Sequence, residues 1–283
     1  MSRLNTLDII AAKGERKLTM LTAYDYPTAK IVDESGMDMI LVGDSLAMVV
    51  LGYEDTLAVG MPEMIHHTKA VTRGAKRCIV VGDLPFMAYQ VSVQQAVENA
   101  GRLIKEGGAQ AVKLEGGAAV VPQVRAIAQA GIPVQGHLGL TPQSAGQLGG
   151  FKVQGKSAQA GKQLIEDAQA LAEAGCFSLV LEAVPAPLAQ RVTRAVSIPT
   201  IGIGAGAGCD GQVLVLHDLV GLFDRFLPKF VKRYAELSKE MSRAIAAFKQ
   251  EVEAGSFPDA EHSFSMKQEE LDALDQMMKS SGI

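Results

Sequence analysis

Two short segments carry a carboxylate where an apolar strand ought simply to end. In "MILVGDSL", from Met39, aliphatic residues run through Gly43 into Asp44 and Ser45. In "CIVVGDLPF", from Cys78, the same order of residue types leads through Gly82 into Asp83. Either aspartate alone reads as readily as a structural residue, a helix N-cap or a turn aspartate after glycine, as it does as a functional carboxylate. Two such carboxylates converging at one mouth would repel unless protonated or bridged by a cation. Mg²⁺ suits the pair, because it takes hard oxygen ligands and keeps positions open for water or substrate. The chain has no His/Cys cluster of the kind zinc favours.

Lys113 and Glu115 stand two apart in "VKLEGG", so on a strand they point to the same side. They could form a structural salt bridge. They could also act on a ligand, Glu115 joining or bracing a metal shell and Lys113 holding a substrate carboxylate. A Schiff-base role for Lys113 is a further option, though a metal beside it makes charge pairing more economical. Glu182 follows "LVL", where an apolar wall can raise a carboxyl pKa; a salt-bridged rim residue is an equally good reading of the local sequence. With His137 it is one of two candidates for a general base.

These residues need a scaffold that brings them together. Eight apolar runs rich in Val and Ile alternate with amphipathic stretches, the pattern of an α/β fold with a parallel sheet. The strands are expected from Leu18, Met39, Cys78, Ala111, Pro133, Phe177, Pro199 and Gln212, the last as "QVLVLHDL". Helices are expected from Pro62, from Ser92 to Gly107, from Ser157 to Gly175, and over "LAQRVTRAV". Eight strands with intervening helices suggest a (β/α)₈ barrel, with a doubly wound sheet as the alternative. In a barrel the active site forms at the carboxyl ends of the strands. Asp44, Ser45, Asp83, Lys113, Glu115, His137 and Glu182 all fall at or near those ends, whereas Cys78 and Cys176 fall at strand beginnings.

The 283 residues, 48% hydrophobic and 20% charged, suffice for one sizeable core. No linker rich in Pro, Gly and Ser interrupts them, so one domain over residues 1–283 is expected. From about Pro228 the pattern changes to a long helix, "KFVKRYAELSKEMSRAIAAFKQEVEAG". A tail follows in which "MKQEELDALDQMM" is a possible helix. A net charge of -4 gives no footprint for nucleic acid, and no basic cluster suits a membrane surface. Three dispersed cysteines form neither a disulfide framework nor a metal knuckle. With no signal-peptide-like start, the cytoplasm is the expected location. Gly206, Gly208 and Gly211 match G-x-G-x-x-G literally, but a strand rather than a helix is expected to follow. Close backbone approach or substrate contact is therefore expected there, not dinucleotide binding. His66 and His67, adjacent on a helix, point apart and are expected to pack or face solvent.

Long strings of the chain resemble the ketopantoate hydroxymethyltransferase family: "TAYDYPTA", "LVGDSLAMVVLGYEDT", "VVGDLPFMAY", "VKLEGG", "GHLGLTPQS", "LVLEAVP", "IGIGAGAGCDGQVLVLHD" and "EHSF". The resemblance implies a (β/α)₈ TIM barrel of the phosphoenolpyruvate mutase and isocitrate lyase superfamily. It implies Mg²⁺-dependent transfer of a hydroxymethyl group from 5,10-methylenetetrahydrofolate to 3-methyl-2-oxobutanoate, giving 2-dehydropantoate for pantothenate synthesis. Carried over residue by residue, the Mg²⁺ ligands are Asp44, Asp83 and Glu115. The substrate contacts are Asp44, Ser45, Asp83 and Lys113, and the proton acceptor is Glu182. A homodecamer is implied by the resemblance alone. Two rivals are a carbon–carbon lyase of the isocitrate lyase branch and a non-catalytic barrel assembly protein. The first would use a cysteine in a "KKCGH"-like motif; no such string occurs, and only Cys209 is expected near the mouth.

Overall fold

In the computed structural model, which describes residues 3–282, eight short strands close into one parallel barrel in sequence order. They are β1 (Leu18–Thr22), β2 (Met39–Val42), β3 (Ile79–Asp83), β4 (Ala111–Glu115), β5 (Val134–Gly139), β6 (Cys176–Glu182), β7 (Thr200–Ile203) and β8 (Gly211–Leu214). Alternate residues feed two separate cores, as a side-chain period of two requires. Met39, Leu41, Ile79, Val81, Ala111 and Val180 fill the barrel interior. Ile40, Val42, Val80, Val112 and Leu114 point outward beneath the helices. Asp83, Lys113 and Glu115 continue the inward rows at the top of their strands.

The amino end of the barrel is plugged by the helix Thr6–Ala11, whose Ile9 is fully buried in the inner core. Asn5 caps that helix by accepting from the Leu7 and Asp8 N–H groups, and Asp8 reaches back to the Asn5 N–H. Of the expected outer helices, Met61–Gly74 carries Pro62 in its first turn, Val93–Lys105 is capped by Ser92, and Ala158–Ala174 is capped by Ser157. Tyr26–Glu34 and Val121–Gln129 are helices that the pattern did not single out; nine residues each leave little room for periodicity to show. His66 is exposed, and His67 Nδ1 lies 2.7 Å from Tyr24 O.

No helix separates β7 from β8. The glycine-rich segment instead lies directly on the helix Ala186–Ala195. A Cβ at Gly206 would fall 2.4 Å from Ala186 Cβ, and one at Gly208 would fall 3.0 Å from Gln190 Cβ. Close backbone approach accounts for these glycines. β8 is shorter than expected, ending at Leu214, and His217 and Asp218 lie in the helical turn Leu216–Leu219. The chain turns there because the Leu216 N–H donates to Thr22 Oγ1 rather than continuing a ladder.

The helix expected from about Pro228 begins only at Leu237. Polar groups before it serve other partners: the Tyr234 N–H donates to Leu219 O and Arg233 Nη2 donates to Phe223 O. By contacts the chain divides into a barrel unit up to Ala235 and a second unit from Glu236 onward. The second unit carries the helices Leu237–Glu253 and Gln268–Ser281. No helix among the described residues is long and apolar enough to cross a membrane.

Candidate active site

All seven residues singled out by position and type (Asp44, Ser45, Asp83, Lys113, Glu115, His137 and Glu182) line one cavity of ≈ 370 Å³ at the carboxyl ends of the strands. Strand register explains the pairings within it. Asp83 is level with Lys113 across β3 and β4, and Glu115 is level with His137 across β4 and β5. Level residues of neighbouring parallel strands face the same side. Lys113 Nζ accordingly lies 2.7 Å from Asp83 Oδ1, and His137 Nδ1 lies 3.3 Å from Glu115 Oε1. On its other edge His137 Nε2 is 3.2 Å from Glu182 Oε2. Asp44 stands just beyond β2, and its backbone N–H donates to Asp83 Oδ2 at 3.2 Å.

Glu182 ends β6 at an unusual turn. Ala183 follows at φ 47°, left-handed backbone that costs an L residue about 1–2 kcal/mol. Two hydrogen bonds hold it: its N–H donates to Ile203 O, and its carbonyl accepts from the Gln154 N–H, both at 2.9 Å. On the neighbouring strand Gly139 (φ 94°) packs against this turn, where a Cβ would fall 2.2 Å from Glu182 O. The strain and the missing side chain both serve to present Glu182 to the cavity.

The polar groups sit in a dry environment that reshapes their charges. Burial pushes the Asp44 carboxyl well above the usual range, and the charges of Asp83 and Glu115 add to that. Burial also raises Asp83, more than the Lys113 ammonium lowers it. Glu115 goes the other way: burial opposes ionisation, but His137 and Lys113 outweigh it. Lys113 is raised, since the surrounding carboxylates overcome the burial that would neutralise it. His137 is pushed up to about 9, with burial and Lys113 opposing and Glu115 and Glu182 prevailing. It is therefore an imidazolium at neutral pH, already carrying the proton that a general base would have to accept.

Carboxylates outnumber the cations they contact: Asp44, Asp83, Glu115 and Glu182 stand with Lys113 and His137, and Lys229 also lines the cavity. Asp83 Oδ1 and Glu115 Oε1 are buried and accept no hydrogen bond, since their ion-pair contacts are poorly aligned. Among the described residues no three His, Cys, Asp or Glu side chains stand as a ready-made metal cage. Carboxylate oxygens without a hydrogen bond, on acids crowded into one buried site, nonetheless suit a hard divalent cation.

Three participants had no sequence signal beyond lying inside the family-like strings. Gln143 donates from Nε2 to Asp44 Oδ2 at 2.8 Å and from its backbone N–H to Glu115 Oε2 at 3.0 Å. Tyr89 donates to Gln143 Oε1 at 2.8 Å and accepts from the Glu115 N–H at 3.2 Å. The hydroxyls of Tyr24 and Ser45 share a hydrogen bond of 2.8 Å. No local rule marks a glutamine or tyrosine for such work.

One expectation is corrected. Cys209 is not near the mouth: it precedes β8, its thiol bonds toward Thr200 and Thr193, and its carbonyl accepts from Lys17 Nζ, just before β1. With Cys78 and Cys176 it belongs to the amino end of the barrel, out of reach of the carboxylates.

The family model described as ketopantoate hydroxymethyltransferase matches residues 3–260. The chain is 64% identical over 273 residues to 3-methyl-2-oxobutanoate hydroxymethyltransferase of Syntrophobacter fumaroxidans, covering 96% of this chain and 97% of the relative. It is 65% identical over 261 residues to the protein of that name from Moorella thermoacetica, covering 92% and 97%. Among solved structures, phosphoenolpyruvate phosphomutase of Streptomyces platensis subsp. rosaceus aligns with a TM-score of 0.61 at 13% identity, covering 99% of both chains. A 2,3-dimethylmalate lyase, described as a member of the PEP mutase/isocitrate lyase superfamily, aligns at 0.58 and 14% identity, covering 98% of this chain and 97% of that one. The structural likeness carries the barrel fold and no more.

Proposed function

The chain belongs to the ketopantoate hydroxymethyltransferase family, hence to enzymes that transfer a hydroxymethyl group in pantoate synthesis, and from that premise we propose how its own residues do so. The acceptor is 3-methyl-2-oxobutanoate, the donor is 5,10-methylenetetrahydrofolate, and the product is 2-dehydropantoate. The observation that carries the reading is the linked array Asp83–Lys113 and Glu115–His137–Glu182 beneath one cavity.

Asp44, Asp83 and Glu115 would hold Mg²⁺. When bound, it supplies Lewis-acid polarisation of a 2-oxo acid's ketone. Lys113 offers its ammonium to the acid's oxygens, and the Ser45 hydroxyl, oriented by Tyr24, is a second donor. Glu182 removes the proton from the branched carbon next to the ketone. His137 Nε2, 3.2 Å from Glu182 Oε2, faces the carboxylate across an ion-pair contact and limits where it can swing. The resulting nucleophilic carbon bonds to the donor's methylene carbon as one of its two C–N bonds breaks. Water then adds its hydroxyl to that carbon as the second C–N bond breaks, and tetrahydrofolate leaves with both nitrogens protonated, by the proton taken from the acid and the one released by water. The apolar walls, including Val180, Ile203 and Val213, receive the acid's methyl groups and exclude bulk water.

The same proposal includes a cytoplasmic location, one barrel domain with a helical extension, and a homo-oligomer, a decamer by family resemblance. The helix Leu237–Glu253 supports assembly, since it has no buried residue and exposes Met241, Ile245 and Phe248.

The test is proton exchange without the donor. Incubated in D₂O with Mg²⁺, the protein should exchange the branched-carbon proton of 3-methyl-2-oxobutanoate, as followed by NMR, and Glu182→Gln should abolish it. Adding 5,10-methylenetetrahydrofolate should then yield 2-dehydropantoate. Full exchange by Glu182→Gln removes the base assignment, and failure to form product removes the donor assignment.

A further inference from the structure

Beyond the acid-binding array, the same cavity is lined by groups that the acid does not account for. Its wall carries Phe223, Phe226 and Phe230 together with Asp218 and Thr56. Phe223 and Phe226 meet edge to face, 5.3 Å between centroids at 89°. Phe230 is seated against Gly204, where a Cβ would fall 2.6 Å from its ring. Phe226 keeps its ring half exposed, open to a planar partner.

Asp218 is the unexplained group of this wall. It is 7% exposed, and its Oδ1 has no hydrogen-bond partner. Arg233 influences it electrostatically without pairing with it, and burial raises the carboxyl to about 6. At neutral pH it is thus largely an anion, and its Oδ1 meets no donor from the protein. Thr56 Oγ1 is likewise buried on the same wall without a partner.

A lone buried carboxylate requires donors from a ligand. The 2-oxo acid has none, since its carboxylate and ketone only accept, and a second anion would be repelled. A tetrahydropterin has the complementary edge: its pyrimidinone N3–H and 2-amino group lie side by side and can donate together to one carboxylate. Its flat ring suits aromatic side chains, which favour stacked or edge-to-face contact.

We propose that Asp218 binds the pyrimidinone edge of the folate donor's pterin and that the Phe223–Phe226–Phe230 wall covers its ring. This rests on the folate donor proposed above. It makes Asp218 and Phe226 determinants of donor affinity, separate from the groups that hold the acid.

Calorimetric titration with tetrahydrofolate, and separately with 3-methyl-2-oxobutanoate plus Mg²⁺, tests this on the full chain. Asp218→Asn should weaken tetrahydrofolate at least tenfold and Phe226→Ala at least threefold, while the Kd for the acid moves less than threefold in either variant. Unchanged tetrahydrofolate affinity in Asp218→Asn would overturn the subsite while leaving the donor reading intact. If Asp218→Asn does not fold, the half-exposed Phe226 decides: unchanged affinity in Phe226→Ala overturns the proposal. If the wild-type protein binds the acid but no tetrahydrofolate, the donor reading falls and the subsite with it.

Discussion

Gln143 donates its side-chain amide to Asp44 Oδ2 at 2.8 Å across 99 residues of sequence, and the same side chain accepts from Tyr89. It positions a proposed metal ligand without touching substrate. Gln143→Ala should lower kcat/KM about 10–100-fold, the usual cost of losing a group that orients a ligand. The Mg²⁺ concentration for half-maximal activity should rise in parallel. A loss of activity with unchanged Mg²⁺ dependence would mean that Gln143 serves the fold alone.

Removing divalent cations should be visible in stability as well as activity. Asp44, Asp83 and Glu115 repel one another in a buried site, so a cation that binds only the folded state stabilises it. At a hundredfold excess over its Kd that stabilisation is about 2.7 kcal/mol. Calorimetric scans with chelator and with saturating Mg²⁺ should differ by several degrees in Tm, and the acid's deuterium exchange should stop without the metal.

Glu182 and His137 are in contact but should not be equivalent. His137 is held protonated with a pKa of about 9, so it cannot accept the substrate proton at neutral pH. Glu182→Gln should slow exchange by about 10²–10⁴-fold, whereas His137→Gln should retain an order of magnitude or more of that activity. Measured exchange rates with the reverse ranking would exchange the two roles.

At the opposite end of the barrel, Asp33 accepts from the backbone N–H groups of Lys76, Arg77 and Cys78 at 2.7–3.2 Å. Burial alone would raise its pKa, but these three donors outweigh it and the net shift is downward. A depressed carboxyl contributes stability that is present above its unfolded pKa, about 3.9, and lost as pH falls through the lower folded value. Asp33→Ala should cost about 3 kcal/mol at pH 7. The gap between the wild-type and variant urea midpoints should narrow only below about pH 4.

Cys209→Ala should keep kcat/KM within about threefold of the wild type, because Cys209 packs at the amino ends of β7 and β8. Loss of turnover in that variant, measured on the transferase reaction, would revive a cysteine-dependent lyase chemistry at this barrel.

Much of this protein is written in local pattern. Apolar runs four to seven residues long, glycine stops and Ser or Asn caps specify strands and helices through neighbours in the chain, and a closed barrel is the simplest way to order eight of them. Once strands are assigned, a period of two puts Lys113 and Glu115 on one face, and Asp44, Asp83 and Glu182 stand out as charges at strand ends. The chain's long family-like strings named the chemistry. Tertiary structure decided what no local rule contains. Register set Asp83 against Lys113 and Glu115 against His137, and thereby which carboxylates are relieved and which are left raised. Folding also brought Gln143 and Tyr89 under the site, moved Cys209 away from it, and turned Asp218 out of an expected strand into a helical turn facing the cavity. The physical reason is the same in each case. Backbone hydrogen bonding acts along the chain or between adjacent strands and leaves its mark on residue type, whereas the partners of a buried polar side chain are whatever the closed barrel brings within about 3 Å of it.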